Sequence, residues 1–250
     1  MRKYGLIGKN LSHSFSKNYF EEKFKKEQIT TATYELFKLD KIEALSELVQ
    51  QQQKLCGLNV TIPYKSAVIP LLDELDPIAK KVGAVNTITV DRKDNGEFYL
   101  KGFNTDIFGF MQSLKPFFGK EHHRALIFGT GGASKAVAFV LKQLDVPFYW
   151  VSRNDTTSLQ TIQYNDLDRK AIESFPFLIN CTPLGMFPNT DEHIPINLEG
   201  IGENHLVYDL IYNPEETALL KIAKQKGAIT VNGLSMLKLQ AEEAWRIWQQ

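Results

Sequence analysis

The sequence that decides the fold is Arg124-Ala125-Leu126-Ile127-Phe128-Gly129-Thr130-Gly131-Gly132-Ala133-Ser134. Its first half is an apolar run typical of a buried strand, and residues 135–139 continue its second half as a helix. Glycines at such a turn let the backbone approach a pyrophosphate at the helix N-terminus. The stretch therefore predicts a dinucleotide-binding loop, although its spacing differs from G-x-G-x-x-G and a glycine turn without ligand is the alternative. The expected cofactor residues are Gly129, Gly131, Gly132 and Ala133.

The end of the next predicted strand indicates which dinucleotide binds. It reads Val151-Ser152-Arg153-Asn154, at the place where NAD enzymes carry a carboxylate for the ribose 2′-hydroxyl. A hydroxyl followed by a guanidinium suits a 2′-phosphate instead, because its planar donors bind phosphate oxygens. Ser152 and Arg153 are therefore predicted cofactor residues and NADP is favoured over NAD, with a plain surface role for Arg153 as the alternative.

Strands and helices alternate on both sides of this loop, which predicts an α/β fold with two lobes and a boundary near Phe103. A hairpin at 85–90 and 97–101, turned at Asp94-Asn95-Gly96, gives the first sheet a mixed-direction edge. Other predicted strands lie at 4–8, 34–39, 55–61, 125–128, 148–151, 177–180, 206–210 and 228–231. Predicted helices lie at 16–26, 41–53, 105–118, 134–144, 215–226 and 236–248.

The composition excludes several classes of partner. The 250 residues carry 29 Lys plus Arg and 29 Asp plus Glu, so no net field attracts nucleic acid or anionic lipid, and a small-molecule partner fits better. No apolar run has the length of a membrane span, and the one near Met1 is too short for a signal peptide. Two cysteines outside any C-x-x-C indicate no disulfide framework. We expect a cytoplasmic protein, either monomer or homodimer.

A second informative string is Asn59-Val60-Thr61-Ile62-Pro63-Tyr64-Lys65. It follows the apolar run 55–58, and Pro63 ends strand pairing because proline lacks a backbone donor. Lys65 is therefore expected beyond a strand end, held by its backbone rather than on a helix face. A strand end with a solvated lysine is the alternative, since most lysines are exposed.

Lys65 and Asp106 form the predicted catalytic pair. Alcohol oxidation needs hydride transfer to a nicotinamide and a group that moves the hydroxyl proton. No Tyr-x-x-x-Lys is placed for this task, and no H-E-x-x-H or Cys/His cluster indicates a metal site. His122 and His123 are expected in a solvated connection. Asp106 has an alternative role as a first-turn acid that the helix dipole favours.

Short polar side chains accompany these two residues at predicted strand ends and loops. Hydroxyls and amides of this kind hydrogen-bond a polyhydroxylated substrate. Each alone is more typical of a cap or turn, as for Ser16 at a helix N-terminus. The set comprises Ser14, Ser16, Asn59, Thr61, Asn86 and Thr87.

Together the motifs resemble the shikimate dehydrogenases, NADP-dependent enzymes that reduce 3-dehydroshikimate in aromatic amino-acid biosynthesis. The resemblance spans nearly the whole chain, and so many blocks in the same order argue against a chance match. The blocks are Ser12-His13-Ser14-Phe15-Ser16, the string ending at Lys65, Gly83-Ala84-Val85-Asn86-Thr87, Gly102-Phe103-Asn104-Thr105-Asp106, the glycine loop, Asn180-Cys181-Thr182-Pro183-Leu184-Gly185-Met186, Tyr208-Asp209-Leu210-Ile211-Tyr212-Asn213-Pro214, Asn232-Gly233-Leu234-Ser235-Met236-Leu237 and Gln240-Ala241.

The resemblance implies a substrate-binding lobe of residues 1–103 with about 236–250, and a Rossmann-type NADP-binding lobe of residues 104–235. The last helix would then return to the first lobe. It also implies that Ser14 and Ser16 hold the substrate carboxylate. Residues implied to bind ring hydroxyls are Asn59, Thr61, Asn86, Asp106 and Gln240. Residues implied to line the nicotinamide pocket are Met186, Leu210, Tyr212, Gly233 and Met236, of which Tyr212 is also expected to contact substrate.

Two stretches depart from the family pattern. Lys17 stands where the family usually has proline, and Tyr19-Phe20 follow where it usually has a His-Asn or Met-Asn pair. This change in the expected pocket wall leaves activity on quinate open. The adenine-side loop reads Ser152-Arg153-Asn154 rather than Asn-Arg-Thr, but it keeps the guanidinium.

Three other interpretations remain open. One is a quinate/shikimate enzyme that uses NAD, which Arg153 argues against. Another is a nucleotide-sensing module without chemistry, which would have no need of Lys65, Asp106 and the serine pair. The third is a two-lobed folate dehydrogenase, but the serine pair suits a small carboxylate better than a pterin.

Overall fold

The structure is a computed structural model that describes residues 1–11, 14–153 and 160–250. The chain divides into two compact units, each with its own apolar core. The first unit comprises Met1–Thr105 and Gln240–Gln250, and the second comprises Asp106–Leu239. The prediction of a two-lobed α/β fold is confirmed, including the return of the last helix to the first lobe.

The first unit alternates strands with helices, as its apolar runs separated by polar turns predict. Its strands are β1 (Arg2–Gly8), β2 (Ala32–Lys38), β3 (Leu55–Val60), β4 (Glu74–Leu75), β5 (Thr87–Arg92) and β6 (Phe98–Phe103). Its helices are α1 (Phe15–Lys26), α2 (Leu45–Gln51), α3 (Tyr64–Ala67) and α4 (Pro77–Val82), with 3-10 turns at Ile42–Ala44 and Ile69–Leu71.

These strands form a mixed sheet in the order β2-β1-β3-β5-β6-β4. Strand β1 runs parallel to β2 and β3, whereas β5 runs antiparallel to β3 and β6. The predicted hairpin is confirmed, and its turn contains Gly96 with a φ of 85°, which glycine adopts without strain. The ends of β1, β3 and β6 and the start of β5 therefore lie along one edge of the sheet.

The second unit contains a wholly parallel sheet. Its strands are β7 (Ala125–Phe128), β8 (Phe148–Ser152), β9 (Thr161–Gln163), β10 (Phe177–Asn180), β11 (Leu206–Asp209) and β12 (Ile229–Val231). Its helices are α5 (Asp106–Leu114), α6 (Gly132–Gln143), α7 (Arg169–Glu173), α8 (Ala218–Gln225) and the first part of α9 (Leu234–Trp248). Every residue of β7, β10 and β11 is buried, as expected for parallel strands covered on both faces.

The strand order of this sheet is β12-β11-β10-β7-β8-β9. From β7 the chain builds outward to β9 on one side and then, from β10, outward to β12 on the other. This is the doubly wound, Rossmann-type arrangement, in which ligands bind where the order reverses, outside the carboxyl ends of the strands. The reversal lies between β7 and β10, and the glycine loop follows β7 directly.

Helix α9 joins the first unit through an aromatic cluster. The Trp248 indole stacks on Tyr4 with ring centroids 4.9 Å apart, and its Nε1 donates to the carbonyl oxygen of Ile88 at 3.0 Å. A Cβ on Gly57 would lie 2.3 Å from that indole nitrogen, so only glycine allows the contact. The end of the chain is therefore part of the first unit's core.

Several predicted boundaries are wrong. Helix α5 ends at Leu114 rather than at 118, because the residue before Pro116 is disfavoured in a helix. Helix α8 begins at Ala218 rather than at 215, because the Thr217 side chain accepts from the Leu220 N–H and caps it.

His122 is buried rather than solvated, and its Nδ1 accepts from the Gly119 N–H at 2.9 Å. Burial lowers the pKa of His122.

Among the described residues, no helix is long and apolar enough to cross a lipid bilayer.

Candidate active site

Several polar residues of the predicted substrate site lie at the sheet edge of the first unit defined above. Asn59 near the end of β3 is paired with Thr87 at the start of β5, and Thr87 is paired with Phe103 at the end of β6. Asn86 and Thr105 lie just beyond these strand ends. Residues that are far apart in sequence are thus placed side by side.

Asn86, Thr105 and Gln240 form one buried hydrogen-bonded group. The Thr105 N–H donates to Asn86 Oδ1 at 2.7 Å, which fixes the orientation of that amide. Asn86 Nδ2 then donates to Thr105 Oγ1 at 3.0 Å and to Gln240 Oε1 at 3.3 Å. Gln240 comes from α9, so the last helix supplies a residue to this edge of the first sheet.

Asn59 is held on three sides. Its Nδ2 donates to the Asn86 carbonyl oxygen at 3.3 Å and to Thr87 Oγ1 at 3.2 Å. Its Oδ1 accepts from the Tyr34 hydroxyl at 2.8 Å. Both of its N–H donors are therefore engaged within the unit, and a lone pair of Oδ1 is what Asn59 has left for a ligand.

The two serines lie at the start of α1. Ser14 is the N-cap residue, but its side chain makes no capping bond, and its Oγ is buried without a hydrogen-bond partner among the described residues. A buried hydroxyl of this kind carries a desolvation cost that a bound ligand can offset. Ser16 lies close enough to the Tyr34 hydroxyl to lower the pKa of that tyrosine. Ser12 and His13, the first residues of this motif, lie outside the described residues.

Lys65 lies beyond the end of β3, as the sequence predicts. It is, however, the second residue of α3, a four-residue helix, so the expectation that it does not lie on a helix is wrong. The helix is fixed because the Tyr64 hydroxyl donates to the Leu39 carbonyl oxygen at 2.8 Å and the Val85 N–H donates to the Lys65 carbonyl oxygen at 2.7 Å. Lys65 is partly buried, as is Thr61 after β3.

In the second unit the glycine loop occupies the carboxyl end of β7. Gly129 has a φ of 97°, a left-handed conformation that favours glycine, and a Cβ there would lie 3.1 Å from Thr182 Cγ2. Gly131 is the N-cap of α6, and a Cβ on it would meet no atom within 4 Å. That open space before a helix N-terminus fits the approach of a pyrophosphate. Gly132 and Ala133 begin the helix.

Ser152 ends β8 and Arg153 follows it with its side chain exposed. Burial raises the pKa of Tyr164, and the positive charge of Arg153 lowers it, which places the guanidinium within electrostatic range of that tyrosine. An exposed guanidinium at the carboxyl edge of a parallel sheet is suited to a phosphate. Asn154 lies outside the described residues.

Asp106 begins α5 and is only 4% exposed. A carboxylate at this position interacts favourably with the helix dipole, as the alternative interpretation expects. The same position makes it the first residue of the second unit.

The residues expected around a nicotinamide follow β10, β11 and β12. A Cβ on Gly233 would lie 2.0 Å from the Leu210 carbonyl oxygen, so only glycine allows these two loops to touch. The Gly233 N–H donates to the Ile211 carbonyl oxygen at 2.9 Å. Met236 is buried in the core cluster against which Leu210 packs, whereas Met186 is exposed and Tyr212 is partly buried.

One buried carboxylate connects these loops. Asp209 is fully buried, and its Oδ1 accepts from Asn180 Nδ2 at 3.0 Å and from the Ile211 N–H at 3.1 Å. Its Oδ2 accepts from Thr217 Oγ1 at 2.7 Å. Burial raises the pKa of Asp209 to about 6, although these hydrogen bonds oppose the shift. The ends of two strands and the start of α8 are thus joined through one side chain.

Comparison with known proteins identifies the family. Residues 6–88 match the model of the shikimate dehydrogenase substrate binding domain. Two curated relatives named shikimate dehydrogenase (NADP(+)) are similar: the Clostridium beijerinckii protein is 39% identical, over 100% of this chain and 93% of the relative, and the Clostridium botulinum protein is 36% identical, over 98% of this chain and 95% of the relative. The chain belongs to the shikimate dehydrogenase family.

A solved member of the family has the same fold. It is the shikimate 5-dehydrogenase of Thermus thermophilus in complex with NADP(H) and shikimate. It superposes with a TM-score of 0.84 at 29% identity, over 99% of this chain and 93% of that one.

Within this family fold, the structure groups the sequence-predicted residues in two sets. Asn59, Asn86 and Gln240 belong to hydrogen-bonded groups of the first unit, and Ser16 lies near the Tyr34 hydroxyl that contacts Asn59. The glycine loop and nicotinamide-side residues lie at one sheet edge of the second unit. The sequence alone indicates no role for Tyr34, Thr105 or Asp209. A carboxylate at the end of an otherwise apolar strand is the available signal for Asp209, whereas the strand of Tyr34 also carries Thr33 and Glu35 and gives no such signal.

Proposed function

We propose that the protein catalyses the reversible, NADPH-dependent reduction of 3-dehydroshikimate to shikimate. The observation that carries the proposal is the buried group of Asn59, Asn86, Thr105 and Gln240 in the first unit. Neutral amides and hydroxyls offer donors and acceptors without charge, which suits a neutral ring with several hydroxyls. Family membership supports the same substrate.

Ser14 and Ser16 are proposed to hold the substrate carboxylate. The buried Ser14 Oγ without a partner among the described residues supports this role, because a carboxylate oxygen would accept a hydrogen bond from the Ser14 hydroxyl. Asn59, Thr61, Asn86 and Gln240 are proposed to bind the ring hydroxyls, and Tyr212 is also proposed to contact the substrate. This arrangement favours a small hydroxylated acid over a pterin.

Lys65 and Asp106 are the proposed catalytic residues. The Lys65 ammonium gives its proton to the ketone oxygen as the carbonyl carbon is reduced, which yields the alcohol and a neutral amine that solvent reprotonates. Asp106 accepts a hydrogen bond from a substrate hydroxyl and orients the Lys65 amine. In the reverse direction, neutral Lys65 removes the alcohol proton.

NADP is the proposed cofactor; when bound, its reduced form would supply the hydride for ketone reduction and its oxidised form would accept the hydride in the reverse direction. Gly129, Gly131, Gly132 and Ala133 would hold its pyrophosphate, and Ser152 and Arg153 its 2′-phosphate. Met186, Leu210, Gly233 and Met236 would line the nicotinamide pocket. The open space at Gly131 and the close approach at Gly233 support these assignments.

The finer properties are also proposals. We propose that substrate binding belongs to residues 1–103 with about 236–250 and cofactor binding to residues 104–235. The balance of positive and negative residues supports a small-molecule partner and no nucleic acid. We further propose a cytoplasmic monomer or homodimer.

The decisive experiment measures NADPH formation by the purified protein with shikimate and NADP+. We expect turnover that is faster with NADP+ than with NAD+ and faster with shikimate than with quinate. Faster turnover with NAD+ would support the quinate/shikimate alternative. Tight NADPH binding without turnover of shikimate or 3-dehydroshikimate would support a nucleotide-sensing module and contradict the proposal.

A further inference from the structure

Asp209 is a buried carboxylate at the end of β11 that no step of the proposed reaction uses. Its side chain is 0% exposed, and its two oxygens accept hydrogen bonds from three different segments. The donors are Asn180 at the end of β10, the Ile211 N–H just beyond β11 and Thr217 before α8. All three belong to the edge of the second sheet where the residues expected around a nicotinamide follow their strands.

The carboxylate sets the direction of the hydrogen bonds in the loop after β10. A carboxylate can only accept, so Asn180 presents its Nδ2 to Asp209 Oδ1 at 3.0 Å. The Asn180 Oδ1 is then left to accept from the Thr182 N–H at 3.0 Å and from Thr182 Oγ1 at 2.7 Å. Thr182 Oγ1 in turn accepts from the Leu184 N–H at 3.3 Å. The backbone that leads to Met186 is thus fixed from Asp209.

The same side chain fixes the loops after β11 and β12. Asp209 Oδ1 accepts from the Ile211 N–H at 3.1 Å, and the Ile211 carbonyl oxygen accepts from the Gly233 N–H at 2.9 Å. The Thr217 hydroxyl donates to Asp209 Oδ2 at 2.7 Å, so its oxygen is left to accept from the Leu220 N–H at 3.3 Å. Hydrogen bonds from one buried charge therefore reach three loops.

We propose that Asp209 is a positioning residue for the nicotinamide end of the cofactor, because it fixes the loops that carry Met186, Leu210 and Gly233. This inference rests on the proposed function, which assigns those residues to the nicotinamide pocket. Among the described residues, Asp209 hydrogen-bonds neither the glycine loop nor Arg153. Loss of its contacts should therefore weaken binding at the nicotinamide end and spare the end that carries the 2′-phosphate.

The test compares NADPH with adenosine 2′,5′-bisphosphate, which keeps the 2′-phosphate and lacks the nicotinamide. Both are titrated calorimetrically into wild type and Asp209→Asn at about pH 8, where Asp209 is ionised because its pKa is about 6. An amide has one oxygen and one N–H2 group, so at least one of the three donors loses its acceptor. We expect the Kd for NADPH to rise about tenfold, as for loss of one hydrogen bond to a charged group.

The Kd for the bisphosphate should stay near wild type in Asp209→Asn. A general loss of stability in the second unit would move both constants, so the difference between the two ligands is the readout of positioning. An equal rise for both ligands would overturn the inference, as would a Kd for NADPH that does not change.

Thr217 variants test the same role while Asp209 stays in place. Thr217→Val removes the hydroxyl that donates to Asp209, and Thr217→Ser keeps it. Tyr208→Phe is the matched control, because it removes a buried hydroxyl from the same strand whose contact is Ser113 on α5, at 2.7 Å. We expect Thr217→Val to raise the Kd for NADPH several-fold and the other two variants to stay near wild type. Equal effects of Thr217→Val and Tyr208→Phe would contradict the proposal.

A double-mutant cycle separates the contact with Asp209 from the capping of α8 by Thr217. Thr217→Val should raise the Kd for NADPH by a smaller factor in the Asp209→Asn background than in wild type. Equal factors would overturn the inference. If Asp209→Asn does not fold, the three single variants at positions 217 and 208 decide with the same two ligands.

Failure of the proposed function would look different. Wild-type protein would then not oxidise shikimate with NADP+, whatever the variants do to NADPH binding. Wild type that oxidises shikimate, together with an Asp209→Asn variant that binds NADPH as tightly as wild type, would refute the role of Asp209 alone.

Discussion

At the scale of single residues, Lys65 and Asp106 occupy different kinds of position. Lys65 lies on a four-residue helix whose neighbours anchor it to the first sheet, and its side chain is partly buried. Asp106 begins a nine-residue helix in the second unit, where the helix dipole favours a carboxylate. In both positions the backbone is fixed by a helix. A fixed backbone holds a proton-transfer group in a constant position relative to its substrate.

Lys65→Ala tests the proton-transfer role. We expect kcat for shikimate oxidation to fall about 100-fold to 10,000-fold, the range for loss of a general acid–base group, while the KM for shikimate changes much less. Steady-state kinetics of the variant provide the measurement. Lys101→Ala is a control in the same unit, because Lys101 is ion-paired to Glu74 and has no proposed role in the site. Near-normal kcat in Lys65→Ala would contradict the assignment.

Arg153→Ala tests the cofactor preference. Loss of a charge-assisted contact to the 2′-phosphate should raise the KM for NADP+ about tenfold to 100-fold and leave the KM for NAD+ nearly unchanged. Both values come from the shikimate oxidation assay with each cofactor in turn. Arg124→Ala is the matched control, since Arg124 lies over the Phe175 ring in the same unit. Equal effects on both cofactors would refute a 2′-phosphate contact.

At the scale of elements, the predictions succeed where the determinants are local. Strands β7 and β10 begin and end where predicted, because each is a short, mostly apolar run with a clear boundary. Arg124 and Gly129 flank β7, and Pro176 precedes β10. The helix that carries Lys65 was missed because a four-residue helix leaves no periodic pattern. Elements β4, β9, α4 and α7 are likewise too short to show a periodic pattern in the sequence.

The contacts of the candidate site are harder to predict than its elements. Tyr34 meets Asn59 across 25 residues, and Asn86 meets Gln240 across 154 residues. No local pattern encodes such pairs, because they depend on strand order and on the return of α9. The identities of most proposed ligands came from the motifs, whereas their partners came from the structure.

The buried carboxyl of Asp209, which joins the loops after β10 and β11, predicts how the free energy of unfolding depends on pH. Its pKa is raised from 3.8 to about 6, so the folded protein holds this proton more tightly than the unfolded chain does. The free energy of unfolding should therefore fall as the pH rises from about 4 to about 6, by about 3 kcal/mol from this group, and stay lower above that range.

Asp209→Asn removes this titration and nearly preserves the shape of the side chain. Urea unfolding of wild type and variant at several pH values isolates the contribution of Asp209, because other groups titrate equally in both proteins. The wild-type free energy of unfolding minus that of the variant should fall across the range. Parallel pH curves would show that the buried carboxylate does not titrate there.

At the scale of the whole molecule, the chain crosses between its two units twice. The first unit needs Gln240–Gln250 for its core, so it is completed only by the last residues of the sequence. The glycine loop and Arg153, in contrast, belong wholly to the second unit. Destabilising substitutions in residues 240–250 should therefore weaken substrate binding and leave cofactor binding intact.

Trp248→Ala tests this dependence. Loss of the indole leaves a cavity against Tyr4 and removes the bond to the Ile88 carbonyl, so the free energy of unfolding should fall by about 4 kcal/mol. Shikimate turnover should disappear at a lower temperature than in wild type, while NADPH binding persists above that temperature. Trp248→Phe keeps a ring against Tyr4 and should lose much less stability. If turnover and NADPH binding were lost at the same temperature, the two units would unfold together and the prediction would be wrong. Destabilisation of the first unit alone should abolish turnover before NADPH binding.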